Sequence, residues 1–272
     1  MKRMFQKKIW LSVAVGLLIG NALAHAETPE EKGYRIAEQS EMSDRGFGDS
    51  KSHLKMVLTN ASGQASVRQL EILTLEVPDT AFGDKSMTVF DNPADIKGTA
   101  LLSHAKILDP DDQWLYLPAL KRIKRISSVN KSGPFVGSEF AFEDFTSTEL
   151  GKYDYKFLRE ESCGEVEPSL NCDVIERFPK YEHSGYTRQI GWFDQEHFQL
   201  RKVDFYDRKN SLLKTLTLSD YRLYQDKFWR AHSLHMKNHQ TNKQTTLEYT
   251  DYEFQTGLTD ADFEKNVLKR IR

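Results

Sequence analysis

The sequence predicts a mainly β chain of the α+β kind, and three observations carry that expectation. From about residue 53 to residue 254, runs rich in Val, Ile, Leu, Thr, Phe and Tyr are separated by turn residues such as Asn60-Ala61-Ser62-Gly63 and Asp91-Asn92-Pro93. Several runs alternate: Leu54, Met56 and Leu58 against polar neighbours, Phe140 and Phe142 against Glu139 and Glu143, Leu216 and Leu218 against Thr215, Thr217 and Ser219. A period of two marks antiparallel sheet with one face buried and one solvated. Helical signals stand only at the two ends of the exported chain.

The first 26 residues read as a cleavable export signal. Lys2, Arg3, Lys7 and Lys8, with no acid among them, precede an apolar stretch from Ile9 to Leu23 and the small-x-small triplet Ala24-His25-Ala26. A retained membrane anchor is the rival, but it needs about 20 apolar residues, and this stretch is shorter and broken by Asn21. Cutting after Ala26 takes the formal net charge from −2 to about −6. No cysteine lies near the cut for lipid attachment, so the mature chain is expected to be soluble. A mildly acidic balance with both signs interspersed argues against nucleic acid as a partner.

Residues 27 to 272 contain no Pro, Gly or Ser-rich linker and read as one domain. Thr28-Pro29-Glu30-Glu31 starts a helix, with Thr28 as N-cap, Pro29 in the first turn and Glu31 completing a capping box. The helix runs towards Ser43 and ends at Gly46 and Gly48. Strands are expected near 53 to 60, 65 to 77, 85 to 90, 99 to 108, 113 to 117, 121 to 127 and 139 to 145, then near 154 to 159, 174 to 179, 186 to 193, 198 to 206, 212 to 221, 228 to 237 and 244 to 254. Cys163 and Cys172, in SCGEVEPSLNC, are most simply a disulfide closing a small loop. Two free thiols or a redox pair are the alternatives, and the spacing is not Cys-x-x-Cys. Residues 260 to 272 form a short closing helix that docks Phe263 and Leu268 on the sheet. A sheet this large must hide an apolar face, and a partly covered concave one suits a greasy ligand.

No HExxH, GxSxG, P-loop or GxGxxG stands in the sequence. His232, His235 and His239 are the one histidine cluster, and they read as sheet residues rather than a metal site, which needs three or four converging groups. The acids Glu139, Glu143 and Asp144 alternate with phenylalanines, and neighbours on a strand point to opposite faces, which disfavours acid–base catalysis. In DDQWLYLPALKRIKRIS, the cations Lys121, Arg122, Lys124 and Arg125 follow an apolar block. They are either a solvated basic face or a docking patch for an anionic lipid headgroup or an acidic partner.

That segment and GPFVGSEFAFEDF, with DRGFGDS, KTLTLSDYRLYQDKFWRAHSLHMKNHQTNKQTTLEYTDYEF and LTDADFEKNVLKR, resemble the LolA-like outer-membrane lipoprotein-sorting proteins, whose fold is of the LolA, LolB and RseB type. The resemblance spans nearly all of the mature chain. It implies a single strongly curved antiparallel sheet, a half-barrel, with a few helices over the concave face and an apolar cavity between. It also implies binding of acyl chains of lipoproteins or phospholipids, without a cofactor, and an inner-membrane transporter of the resistance-nodulation-division type as partner. The lid-holding arginine of the carrier LolA is carried over to no residue here.

A chain of 16 carbons exposes roughly 12 kcal/mol of apolar surface in water, at about 0.8 kcal/mol per methylene. The function expected is therefore a non-enzymatic periplasmic carrier or chaperone in peripheral contact with a membrane, and the alternative is a sensing or adaptor module. Leu73, Leu75, Trp114, Tyr116, Phe140, Phe142 and Leu216 are the candidates for core or cavity lining.

Overall fold

The computed structural model describes residues 26–79 and 82–271. The export segment expected over residues 1–26 lies outside them but for Ala26. Helix α1 (Pro29–Asp44) begins with the capping box that the sequence announces. The Glu31 N–H donates to Thr28 Oγ1 at 3.2 Å, and the Thr28 N–H donates to Glu31 Oε2 at 2.8 Å. After Asp44 the chain turns through Gly46 and Gly48, both at positive φ, and the Glu76 carboxylate accepts both of their N–H groups at 2.8 Å.

Thirteen strands follow: β1 (Asp49–Thr59), β2 (Ala65–Leu75), β3 (Phe82–Asn92), β4 (Ala100–Lys106), β5 (Asp112–Leu117), β6 (Arg122–Ile126), β7 (Tyr153–Ser162), β8 (Asn171–Pro179), β9 (Arg188–Asp194), β10 (Leu200–Tyr206), β11 (Leu212–Tyr224), β12 (Phe228–Asn238) and β13 (Gln244–Phe254). They make one curved antiparallel sheet, open at β6 and β7, in the order β6-β5-β4-β3-β2-β1-β13-β12-β11-β10-β9-β8-β7. The chain enters in the middle, meanders out to β6, crosses to β7, and meanders back until β13 pairs with β1. Two hairpin series thus share a single joining ladder. Short hairpin connections account for every other strand pairing.

The crossing segment, residues 127–152, overturns one expectation. Residues 139 to 145 are not a strand; Phe142–Phe145 is a 3₁₀ turn, entered by the Ala141 N–H donating to Asp144 Oδ2 at 2.7 Å. In a strand Phe142 and Phe145 would face opposite ways. Here Phe135, Phe140, Phe142 and Phe145 all pack onto the concave face, against Leu54, Met56, Leu70, Phe90, Leu101 and Met236. The segment is a strap laid over the sheet.

The closing segment is two 3₁₀ turns, Asp260–Phe263 and Lys265–Arg270, rather than one helix. It docks as expected, with Phe263 and Leu268 fully buried. Their partners are Leu73, Met87, Ala100, Leu102 and Tyr116, on the outer face of the sheet. The simple picture of one buried and one solvated face therefore fails over β2 to β5, where both faces are covered. Cys163 and Cys172 are bonded to each other across the β7–β8 hairpin, packed with Val174 and Trp192. Among the described residues no helix is long and apolar enough to cross a membrane.

Glycine in a helix interior costs about 1 kcal/mol relative to alanine, so Gly33 in α1 needs a reason. A Cβ there would lie 2.7 Å from the Phe157 nitrogen and 2.8 Å from the Lys156 carbonyl carbon, both backbone atoms of β7. Its absence lets α1 lie directly on the strand. Gly33→Ala should therefore destabilise by about 1 to 3 kcal/mol despite the propensity gain, seen as a Tm several degrees lower in a thermal melt. A Tm at or above the parent value would mean that α1 does not approach β7 this closely.

Candidate functional site

The strap fills only part of the concave face. Over the rest, α1 forms a roof, and a cavity of about 480 Å³ remains between roof and sheet, within the range of small-ligand sites. Ala37, Ser40 and Phe47 line it from above, and Ile72, Leu200, Leu218, Leu234, Tyr249 and Tyr252 from below. The strap contributes a third wall through Ser147 to Leu150. Leu218 and Leu234 share their face with core residues, yet both keep appreciable exposure because no side chain of the roof covers them.

The two halves of α1 are held differently. Its first half is packed: Ile36 and Ala37 are buried with Tyr153, Tyr155, Ile175 and Phe193. Its end is held by polar contacts around the cavity. The Arg230 guanidinium donates to the Asp44 carboxylate and lies 5.4 Å from the Phe47 ring centre and 5.2 Å from that of Phe254. The Leu150 N–H donates to Glu41 Oε2 at 2.8 Å, and Gln199 Nε2 donates to Ser43 Oγ at 3.1 Å. Each such bond contributes about 1 kcal/mol net. The end of α1 thus rests over the cavity on polar contacts rather than on packed apolar side chains.

One rim of the cavity is acidic. Asp84, Glu76, Glu149, Glu41 and Asp44 line it, with Arg45, Arg177 and Arg230 among them. Burial pushes the Asp84 carboxyl up to about 7, and the negative charges of Glu149, Glu76 and Asp44 push the same way, against the Val77 N–H that it accepts at 3.0 Å. Glu149 is itself buried and takes the Asp84 N–H at 3.2 Å.

The expected lining residues divide. Phe140, Phe142 and Leu216 belong to the concave-face core, packed with the strap. Leu73, Leu75, Trp114 and Tyr116 lie on the outer face beneath the closing turns, away from the cavity. The four cations also divide between faces, because β6 pairs Arg122 with Leu117 and Lys124 with Leu115, but Arg125 with Trp114. Arg125 bonds Asp112, and Lys121 sits at the turn with a φ of 48°.

The acids of the strap are engaged by the fold. Glu143 accepts from Tyr181, Ser184 and the Gly185 N–H, and burial raises its pKa. Asp144 accepts from Lys214 and Tyr186, and Glu139 from Asn238. His232 sits between Tyr224 Oη (2.7 Å) and the Tyr249 carbonyl (2.9 Å), while His235 meets Gln244 and His239 meets Thr215. No group of three or more His, Cys, Asp or Glu is placed to hold a metal ion among the described residues. Sequence reasoning missed Tyr221, Trp229, Arg230, Tyr249 and Tyr252 at the cavity; the one signal was the density of aromatics in DYRLYQDKFWR and LEYTDYEF.

A family described as an uncharacterized protein family matches residues 83–270. A solved outer membrane lipoprotein-sorting protein domain from Vibrio parahaemolyticus is 51% identical, superposes with a TM-score of 0.84, and is matched over 100% of its length by 89% of this chain. A DUF1329 family protein from Desulfovibrio piger ATCC 29098 is 27% identical with a TM-score of 0.82, over 89% of this chain and 99% of its own. A LolA superfamily protein from Nitrosomonas europaea shares the fold at 19% identity, with a TM-score of 0.69 over 86% of this chain and 98% of its own. No curated protein matches the sequence.

An acid with a raised folded-state pKa stays protonated in the fold where the unfolded chain has released its proton. Stability then falls as pH rises from the unfolded value near 4 to the folded value near 7. For Asp84→Asn, which keeps an acceptor for the Val77 N–H, that slope should flatten. Thermal melts at pH 5 and pH 8 check it: the parent should lose more Tm between the two than the variant, and equal losses would place the Asp84 carboxyl in the ordinary range.

Proposed function

The chain belongs to the LolA-like outer-membrane lipoprotein-sorting family, and from that premise we propose that it is a periplasmic carrier. It shields the acyl chains of a lipid or lipoprotein and passes them to or from a membrane partner, an inner-membrane transporter among them, without catalysing a reaction. The observation that supports this most directly is the roofed cavity of about 480 Å³ with Leu218, Leu234 and a bank of aromatic rings on its floor. Apolar side chains left over an empty space gain by covering, at roughly 25 cal/mol per Å² buried. A carrier must also release its cargo, and a roof whose C-terminal end rests over the cavity on polar contacts is compatible with a way out. The Cys163–Cys172 bond suits an oxidising compartment outside the cytoplasm.

The test is lipid mass spectrometry on protein purified from a host with a periplasm, beside Leu218→Arg, which puts a charge into the cavity without touching the packed core. The parent protein should carry acylated species at near one per chain, and Leu218→Arg should lose most of them while its Tm moves by only a few degrees. A parent protein free of acylated species would overturn the carrier reading.

A further inference from the structure

A second hollow lies at the far end of the concave face, where the strap meets the β5–β6 edge, with a volume of about 420 Å³. Leu115 and Leu117 of β5, the turn that follows them, and Val136 and Phe142 of the strap wall it, so that its surface is mainly apolar. Leu120 stands at its lip, 62% exposed. Val136 adopts a φ of 47°, which β-branched residues rarely hold, and the Arg68 guanidinium donates to its carbonyl, so the wall that closes the chamber is fixed in place.

Residues directly opposed in an antiparallel pair put their side chains on the same face. Lys124 is paired with Leu115 and Arg122 with Leu117, which sets two cations on the chamber's side of the sheet edge. Among the described residues neither has an ion-pair partner, whereas Arg125, on the outer face, is tied to Asp112. One acid, Asp95, lines the hollow on the other side, and its charge acts on Arg68. An apolar chamber with two unpaired cations along one edge is complementary to an amphiphile: a hydrocarbon chain inside, a phosphate at the rim. Arginine suits phosphate geometry in particular.

We infer that this chamber is a second lipid subsite, which takes one chain of a phosphate-bearing lipid with its headgroup between Arg122 and Lys124. The inference rests on the carrier reading and sharpens it, because the acyl anchor of a lipoprotein carries no phosphate. The cargo class it selects is a phospholipid.

Calorimetric titration of the mature protein with dodecyl phosphate and with neutral dodecyl maltoside tests it, on the parent, on Leu218→Arg and on Arg122→Gln with Lys124→Gln. The parent and Leu218→Arg should both prefer the phosphate. The double variant should lose roughly twenty-five-fold in phosphate affinity, two cations each contributing about fivefold, with maltoside affinity unchanged. Flotation with phosphatidylglycerol against phosphatidylcholine vesicles then separates a lipid drawn from a bilayer from one captured as a monomer. Binding of both amphiphiles that ends with Leu218→Arg and ignores the two cations would overturn the subsite and leave the carrier standing. No binding of either by the parent would overturn both.

Discussion

A buried ion pair fixes where the strap lies, and the rest of the site depends on it. Lys214 of β11, almost wholly buried, donates to Asp144 Oδ2 at 2.7 Å and to the Glu139 carbonyl at 3.0 Å. Tyr186 Oη and the Ala141 N–H donate to the same carboxylate. A charge pair taken out of water is stable only when its remaining hydrogen-bonding capacity is met, and this one is met by both strap and sheet. It anchors a crossing segment that connects opposite edges of the sheet and has no ladder of its own.

With the strap anchored, the concave face is divided. Four phenylalanines pack one part of it solidly, against Leu54, Met56, Phe90 and Met236. What remains is hollow, at the middle under α1 and at the β5–β6 edge. The strap therefore sets the size of both spaces. It also serves as a wall of each, through Ser147 to Leu150 at one and Val136 and Phe142 at the other. The outer face needs no such division, since the closing turns cap its apolar residues with Phe263 and Leu268.

Much of this architecture was legible in the sequence, for local reasons. The capping box of α1, the alternation of Leu54, Met56 and Leu58, and the pairing of two nearby cysteines each depend on neighbours along the chain. The strap was not, because Phe140 and Phe142 alternate with acids just as a strand would, and only the packing of Phe135, Phe140, Phe142 and Phe145 onto the same face of the sheet decides against one. Facing was the other gap. Alternation leaves Trp114 and Tyr116 equally as core or cavity lining, and only the closing turns that cover them place them in a core cluster. Tyr249 and Tyr252 are three apart, which alternation would place on opposite faces, yet both line the cavity. The β1–β13 ladder slips by a residue between His53 and Leu54, and such a bulge re-aims the side chains beyond it. Bulges of this kind are set by pairing between distant segments.

A fixed strap beside a roof that can lift is the central physical claim, and nuclear Overhauser contacts from an isotope-labelled fatty acid bound to the protein test it most directly. The expected contacts run from the acyl methylenes to the methyls of Leu218 and Leu234 and to the ring of Tyr249, with none to Phe135 or Phe140. Contacts to Phe135 and Phe140 would show that the strap itself leaves the sheet, and would contradict the division of the concave face.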